Sequence, residues 1–127
     1  MSSIYLDTHI VVWLYCGLTE KFSPLAKSLI NSNDLTYSPI VRLELKYLLE
    51  IERITASPEA ILTTLETNIG LCSCTKNFDQ VVCQALALDW TRDPFDRLIT
   101  AQSALTNSLL LTKDQKILAH YDYARWS

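Results

Sequence analysis

Short apolar runs alternate with longer amphipathic stretches along this chain. The runs cover residues 4–6, 35–37, 71–72 and 109–111, and a last one covers residues 123–126. They are brief and do not alternate between apolar and polar side chains, which is typical of parallel strands covered on both faces. The stretches between them carry apolar residues at helical spacing. Together they predict an α/β three-layer sandwich, in which helices flank a central, mainly parallel sheet of about five short strands, with residues 123–126 as an edge strand.

The prolines mark where helices begin. All four follow a residue that caps helices, in the pairs Ser23-Pro24, Ser38-Pro39, Ser57-Pro58 and Asp93-Pro94. A serine or aspartate oxygen at the N-cap accepts from an otherwise unpaired N–H, and proline suits the first helical turn, so each pair predicts a helix start. Asn77 and Gln80 have the spacing of a capping box and predict a fifth start.

Glycines are expected at helix ends. The chain has only two, Gly17 and Gly70, and both fall where an amphipathic stretch stops. We expect the first helix over residues 8–18, with Ile10, Trp13 and Leu14 on its inner face.

Four carboxylates stand in apolar surroundings. Asp7 ends the first apolar run, Asp114 lies just past the fourth, Asp96 opens the helix after Pro94, and Glu44 lies inside the helix after Pro39. The side chains three and four residues from Glu44 are mostly apolar, so Glu44 projects from the apolar side of its helix. A buried carboxylate rarely lacks a partner, and the carboxyl ends of parallel strands meet at one edge. We therefore expect the four to converge there, with raised pKa values when no metal is bound.

Each acidic residue also has a structural interpretation. Asp7 could cap the helix from Thr8, and Asp114 could cap a short turn over residues 115–119. Asp93 is more typical of a helix cap than of a metal ligand. Asp96 could form an ion pair with Arg92 or Arg97, and Glu44 could pair with a cation from another segment, because residues two positions away do not face it.

Carboxylate ligands favour hard cations, so the predicted metal is Mg²⁺ or Mn²⁺ rather than zinc. Such an ion suits phosphodiester hydrolysis, because it activates water and stabilises negative charge on the phosphate. Thr8 and Thr112 stand beside proposed ligands and could orient a carboxylate or make a local turn bond. His9 is expected on a helix surface. The sequence contains no recognisable nucleophile–histidine motif and no glycine-rich phosphate loop.

Composition narrows the class of protein. The chain of 127 residues is expected to form one domain over residues 1–127, and 49% hydrophobic with 20% charged residues excludes a disordered chain. It has no apolar run long enough to cross a membrane and no secretory signal, which predicts a cytoplasmic protein without membrane association. The net charge is −3, but setting the four carboxylates aside leaves ten of the 14 acidic residues against 11 basic ones. We therefore expect only weak non-specific binding to nucleic acid.

The cysteines are expected to be small buried thiols. Cys16 and Cys83 lie in apolar helix patterns, and Cys72 and Cys74 are too close together to form a useful cross-link. No second cysteine or histidine pair stands at zinc-finger spacing.

Four segments carry a family resemblance over essentially the whole chain. They are Leu6-Asp7-Thr8-His9, residues 38–45, residues 92–102 and Leu111-Thr112-Lys113-Asp114 with Ile117, Tyr121 and Trp126 after it. The string over residues 92–102, RDPFDRLITAQ, is the most specific. Together they resemble the PIN-domain ribonucleases, in particular the VapC-like toxins of type II toxin–antitoxin systems.

The resemblance implies a function. Asp7, Glu44, Asp96 and Asp114 match the family's catalytic, metal-binding quartet, with Asp93 as an auxiliary, and a PIN-like fold is implied. The implied activity is Mg²⁺- or Mn²⁺-dependent cleavage of RNA. The implied partners are a small cognate antitoxin that occupies the cleft and a second copy of the chain in a homodimer. Two alternatives stay open, a metal-dependent phosphoesterase acting on DNA and a mainly partner-binding component of a repressor complex.

Overall fold

Five parallel strands form the centre of the protein in a computed structural model that describes residues 3–127. The strands are β1 (Ser3–Leu6), β2 (Asp34–Tyr37), β3 (Cys72–Ser73), β4 (Leu110–Leu111) and β5 (Ala124–Arg125). Their order is β3-β2-β1-β4-β5, and every neighbouring pair is parallel. The predicted α/β fold is confirmed, including the edge position of the last strand, although strand ends differ from the predicted ones by up to one residue. Met1 and Ser2, included in the expected domain of residues 1–127, lie outside the described residues.

The register of the central strand β1 determines where the residues that follow β1 and β4 lie relative to each other. β1 pairs with β4 so that Tyr5 lies opposite Leu110 and Leu6 opposite Leu111. On its other side, β1 pairs with β2. The chain therefore leaves β1 and β4 at the same height, and the residues after Leu6 and Leu111 emerge side by side at one edge.

Seven α-helices and one 3₁₀ turn connect the strands within residues 3–127. They are α1 (Thr8–Cys16), the 3₁₀ turn (Thr19–Lys21), α2 (Pro24–Ser32), α3 (Ile40–Glu50), α4 (Pro58–Ile69), α5 (Phe78–Ala85), α6 (Pro94–Ala104) and α7 (Gln115–His120). None of these helices has both the length and the apolar character that a bilayer crossing requires.

The predicted helix caps form in the structure, with one shift. The side chains of Ser23, Ser57, Asn77 and Asp93 each accept from a backbone N–H in the first turn of their helix. At the remaining proline pair the helix begins at Ile40, one residue later than predicted. The Ser38 hydroxyl accepts from the Ile40 N–H at 3.3 Å.

The first helix is shorter than predicted. It ends at Cys16, because Gly17 takes a left-handed conformation (φ 70°) and its N–H bonds back to the last turn. The buried apolar residues of α1 are Ile10 and Val11. Trp13 and Leu14, which were expected on the inner face, are only partly buried.

The cysteines correct a second expectation. All four are free thiols, as predicted, but Cys16, Cys72 and Cys83 are exposed and Cys74 is half-buried. In α5 the buried positions are Val81 and Ala85, one helical turn apart, which places Cys83 on the opposite face. The predicted burial of Cys16 and Cys83 was wrong because their helices bury narrower stripes than the apolar composition indicated, and Cys72 is exposed on the edge strand β3.

Candidate active site

Asp7 joins the ends of the two central strands. Its side chain is 1% exposed. One carboxylate oxygen accepts from the Thr8 N–H at 2.8 Å and caps α1, and the other accepts from the Thr112 hydroxyl at 2.5 Å. Asp7 thus caps a helix, as its structural interpretation proposed, and also faces the residues that follow β4.

The Thr112 hydroxyl links Asp7 to the segment that carries Asp114. Its oxygen also accepts from the Asp114 N–H at 3.0 Å. Asp114 in turn accepts from the Ile117 N–H at 2.9 Å and caps α7. The cap predicted for Asp114 is therefore present, and the cap leaves its second carboxylate oxygen without a bond from the helix.

Glu44 is tied to the start of α1. The Thr8 hydroxyl donates to Glu44 Oε1 at 2.5 Å, and the Glu44 side chain is half-buried. The neighbouring cation Arg42 forms an ion pair with Glu59 instead. Within residues 3–127 no ion pair reaches Glu44, so its charge is not matched by a cation from another segment.

Asp93 and Asp96 lie at the start of α6. Asp93 Oδ1 accepts from the N–H groups of Phe95 and Asp96 at 2.9 and 3.2 Å, which is the cap expected for it. Asp96 is half-buried in the first helical turn. Over the described part of the chain it has no ion pair with Arg92 or Arg97.

The acidic side chains act on one another electrostatically. Burial, together with the negative charges of Asp7, Asp93, Asp114 and Glu44, raises the pKa of Asp96 to about 7. Burial also raises the pKa of Glu44, against the hydrogen bond from Thr8 and with the charges of Asp7 and Asp93. The four predicted residues and Asp93 therefore share one neighbourhood, named here the acidic cluster.

The acidic cluster is not a closed ligand cage. In residues 3–127 no three acidic, histidine or cysteine side chains are grouped closely enough to hold a metal ion as they stand. Repulsion between like charges acts to hold such carboxylates apart. The donors are all carboxylate oxygens, and besides burial the charges of four neighbouring carboxylates raise the pKa of Asp96, which fits a hard divalent cation.

Two further polar residues border the acidic cluster. His9 Nε2 lies 3.6 Å from Asp7 Oδ2. Its side chain is 43% exposed, in keeping with the helix-surface position expected for it, but it also reaches the site. Thr100, fully buried one helical turn after Asp96, has a hydroxyl with no hydrogen-bond partner among the described residues. Its i+4 spacing from Asp96 was the only signal in the sequence.

A second polar group of residues was not predicted. The Ser38 hydroxyl donates to Gln102 Oε1 at 2.5 Å, Lys76 Nζ donates to the Gln102 carbonyl oxygen at 3.0 Å, and the Tyr5 hydroxyl lies 3.0 Å from Cys74 Sγ. Lys76 Nζ also lies 4.8 Å from the ring centroid of Tyr5, which joins the two sets of contacts. The five residues, named here the Gln102 network, come from four segments of the chain. No motif of neighbouring residues joins them, so the sequence alone did not predict the Gln102 network.

Comparison with known proteins identifies the family of this chain. The sequence profile of the PIN domain matches residues 4–123. The chain belongs to the PIN-domain family. This PIN domain is 29% identical over 125 residues to a curated protein named Ribonuclease VapC22 from Mycobacterium tuberculosis, and the alignment covers 94% of this chain and 93% of that protein. The resemblance inferred from the sequence motifs is confirmed.

Solved structures share the fold of this PIN domain. The crystal structure of VapBC2 from Rickettsia felis, bound to a DNA fragment from their promoter, contains a chain that matches with a TM-score of 0.69, 17% identity and coverage of 98% of this chain and 99% of that one. A toxin–antitoxin complex from Klebsiella pneumoniae matches with a TM-score of 0.63, 16% identity and coverage of 96% and 95%. At these identities the likeness shows the fold.

Proposed function

We propose that this PIN domain is a metal-dependent endoribonuclease that hydrolyses RNA phosphodiester bonds as the toxin of a toxin–antitoxin pair. Family membership and the name of the curated relative, a ribonuclease, support the activity. The observation that carries the proposal is the grouping of acidic side chains at the carboxyl ends of β1 and β4, where Thr112 links Asp7 to the Asp114 segment and where burial and the neighbouring charges raise the pKa of Asp96 to about 7. A structural protein gains nothing from such repulsion, whereas perturbed carboxylates are typical of functional sites.

The proposed cofactor is Mg²⁺ or Mn²⁺, held by Asp7, Glu44, Asp96 and Asp114. When bound, such an ion supplies an activated water and stabilises negative charge on the phosphate. We assign Asp93 to the helix cap, since one of its oxygens already accepts two backbone N–H groups, and its charge adds to the field.

The chain's own residues fix the orientation of these ligands. Thr112 and the Thr8 N–H each bond one oxygen of Asp7, and the Thr8 hydroxyl bonds one oxygen of Glu44. Each carboxylate oxygen has a second lone pair, so these bonds leave acceptor capacity directed to the site. Thr8 and Thr112 therefore serve as positioning residues.

The proposed partners follow from the surface and the structural neighbours. Two structural neighbours are a VapBC2 chain in a complex with promoter DNA and a chain of a toxin–antitoxin complex. Leu43 and Tyr47 of α3 and Ile51, which caps its C-terminus, recur every four residues and are 57%, 48% and 43% exposed. Such an apolar stripe supports binding of a protein partner. We propose a cognate antitoxin, a homodimer and a cytoplasmic location.

The test is cleavage of RNA by purified, partner-free protein, with Mg²⁺ or Mn²⁺ and with a chelator. We expect cleavage only with the metal, and loss of cleavage in Asp96→Asn. The matched control is Asp89→Asn, which removes one exposed carboxylate outside the acidic cluster.

A parallel reaction with single-stranded DNA separates the alternatives. Recognition of the 2′-hydroxyl makes RNA the better substrate. Equal cleavage of DNA would identify a general phosphoesterase. No cleavage of either substrate with metal present would reject an enzymatic role and favour the partner-binding alternative.

A further inference from the structure

A group of tryptophans and lysines borders the acidic cluster. Lys21 Nζ lies 5.3 Å from the ring centroid of Trp13. Lys113 Nζ lies 5.9 Å from Trp13 and 5.8 Å from Trp126. The two indole rings meet edge to face, with centroids 6.0 Å apart. These four residues are named here the Trp–Lys patch.

The Trp–Lys patch is continuous with the candidate site. Lys113 lies between Thr112, which bonds Asp7, and Asp114. His9 spans the two regions from the other side, because its Nε2 lies 3.6 Å from Asp7 Oδ2 and its ring centroid 5.6 Å from that of Trp13. A nucleic-acid strand that reaches the acidic cluster from this side therefore passes over the Trp–Lys patch.

Both ammonium groups are available to a ligand. Lys21 and Lys113 are exposed, and in the part of the chain that the structure describes neither forms an ion pair. The indole rings attract the ammonium groups and hold them beside a strongly negative site. Trp13 and Trp126 are only partly buried, so part of each ring remains at the surface.

We propose that the Trp–Lys patch binds single-stranded RNA next to the bond that is cut, an inference that rests on the proposed ribonuclease function. Lys21 and Lys113 bind phosphates of the strand, and the exposed parts of the two indoles contact unpaired bases. An acidic cluster repels a polyanion, so positive charge at its border is needed to hold the substrate. Bases of a duplex are stacked inside the helix and cannot contact the indoles, which makes a single strand the ligand.

The same contacts have a purely structural interpretation. Lysine side chains cover aromatic rings on many protein surfaces and contribute to packing through their carbon chains. In that case, replacing the lysines lowers the melting temperature and leaves RNA binding unchanged. Binding and stability therefore separate the two interpretations.

The experiment measures binding of a fluorescently labelled single-stranded RNA by anisotropy, without metal, in the 127-residue chain carrying Asp96→Asn so that the RNA stays intact. Adding both Lys21→Gln and Lys113→Gln should weaken binding about tenfold. It should also reduce the slope of log affinity against log salt by about 1.4, which corresponds to two phosphate contacts on a single strand. The melting temperature should stay within a few degrees.

The matched control is Lys46→Gln, which removes one positive charge from an exposed position two residues from Glu44, as Lys21→Gln alone removes one from the patch. An equal loss of binding in that control would overturn the proposal, and so would an unchanged salt slope in the double variant or equal binding of duplex RNA. If the double variant melts much lower, Lys21→Gln alone carries the test, with an expected slope change of about 0.7.

Cleavage by the otherwise unchanged protein separates this inference from the function on which it rests. If that protein cuts RNA but the lysine variants have the same KM, the patch assignment is wrong and the nuclease function stands. If it cuts no RNA with metal present, the proposed function fails and the patch assignment fails with it.

Discussion

The acidic cluster and the Gln102 network both take residues from α6 and from the region of β1, but they differ in whether their polar groups have favourable partners. Tyr5 lies on β1 and Asp7 directly follows that strand, and Asp96 and Gln102 lie on the same helix, α6. In the Gln102 network each polar group meets a partner, and Lys76 also donates to Thr106. In the acidic cluster five carboxylates repel one another. Among residues 3–127, His9 is the only basic side chain within ion-pair distance of any of them.

The two groups of polar residues have opposite effects on the stability of the folded protein. Buried polar groups that all have hydrogen-bond partners stabilise one arrangement of the chain. A carboxyl group whose pKa is raised by burial and like charge lowers the stability of the folded protein at neutral pH. This cost falls on Asp96 in the first turn of α6, whereas Gln102 in the same helix is hydrogen-bonded.

The largest expected effect comes from Asp96→Asn. We expect RNA cleavage with Mg²⁺ to fall by about 100-fold or more, since one ligand and one charge of the proposed metal site are lost. The same substitution removes repulsion, so the metal-free protein should melt at the same or a higher temperature at pH 7.5. Cleavage rates and thermal melts measure the two changes. Unchanged cleavage would remove Asp96 from the site.

The pH dependence of stability should follow Asp96. Its pKa is raised from 3.8 to about 7 in the folded protein, so the folded state keeps a proton that the unfolded chain releases at lower pH. Stability from this group is therefore present below about pH 4 and is lost as the pH rises through about 7. Allowing for solvent screening, we expect a loss of about 1–3 kcal/mol.

Urea unfolding of the metal-free protein from pH 4 to pH 8 measures this loss, and Asp96→Asn should flatten the curve. At pH 7.5, Mn²⁺ at 100 times its dissociation constant should restore about 2.7 kcal/mol. A flat curve in the unsubstituted protein, or no shift with millimolar Mn²⁺, would contradict a charged, metal-binding cluster.

In the Gln102 network, Gln102→Leu should act on stability instead. Gln102 is 3% exposed, and its replacement leaves the buried Ser38 hydroxyl without its side-chain partner. We expect a loss of about 1–3 kcal/mol in the free energy of unfolding. The pH dependence attributed to Asp96 should persist in this variant. Its disappearance would show that the two regions are not independent.

The smallest expected effect comes from Thr8→Val. The substitution conserves shape at a fully buried position but removes the donor to Glu44, whose pKa should rise further. We expect Mn²⁺ affinity, measured by calorimetry, to fall by about two- to tenfold. Substituting a residue that orients a metal ligand typically costs about 10–100-fold, and the Thr8 hydroxyl orients only one ligand of the proposed four. Thr63→Val, at an exposed position of α4, is the control and should change nothing.

Local chemistry explains what the sequence predicted well. The pairs at Ser23, Ser57 and Asp93 place a capping oxygen and a proline next to each other in the chain, so the helix start depends on no distant contact. The carboxyl ends of β1 and β4 were predictable for the same reason. Short apolar runs define them, and parallel strands bring their ends to one edge.

Long-range packing explains what the sequence did not predict. The exposure of Cys83 depends on which stripe of α5 packs against α6, and the joining of Tyr5, Cys74 and Gln102 depends on three separate elements. In the site, the proximity of the carboxylates followed from topology, but their hydrogen bonds to Thr8 and Thr112 depend on side-chain positions that only the packed structure fixes.

The strand order also bears on synthesis at the ribosome. The central strand β1 is made first, yet its neighbour β4 begins at Leu110 and the edge strand β5 at Ala124. A nascent chain leaves the ribosome from its N-terminus, so Asp7 emerges long before Thr112 and Asp114. The acidic residues therefore cannot assemble until the segment that carries Thr112 and Asp114 has been made, long after Asp7 itself has left the ribosome.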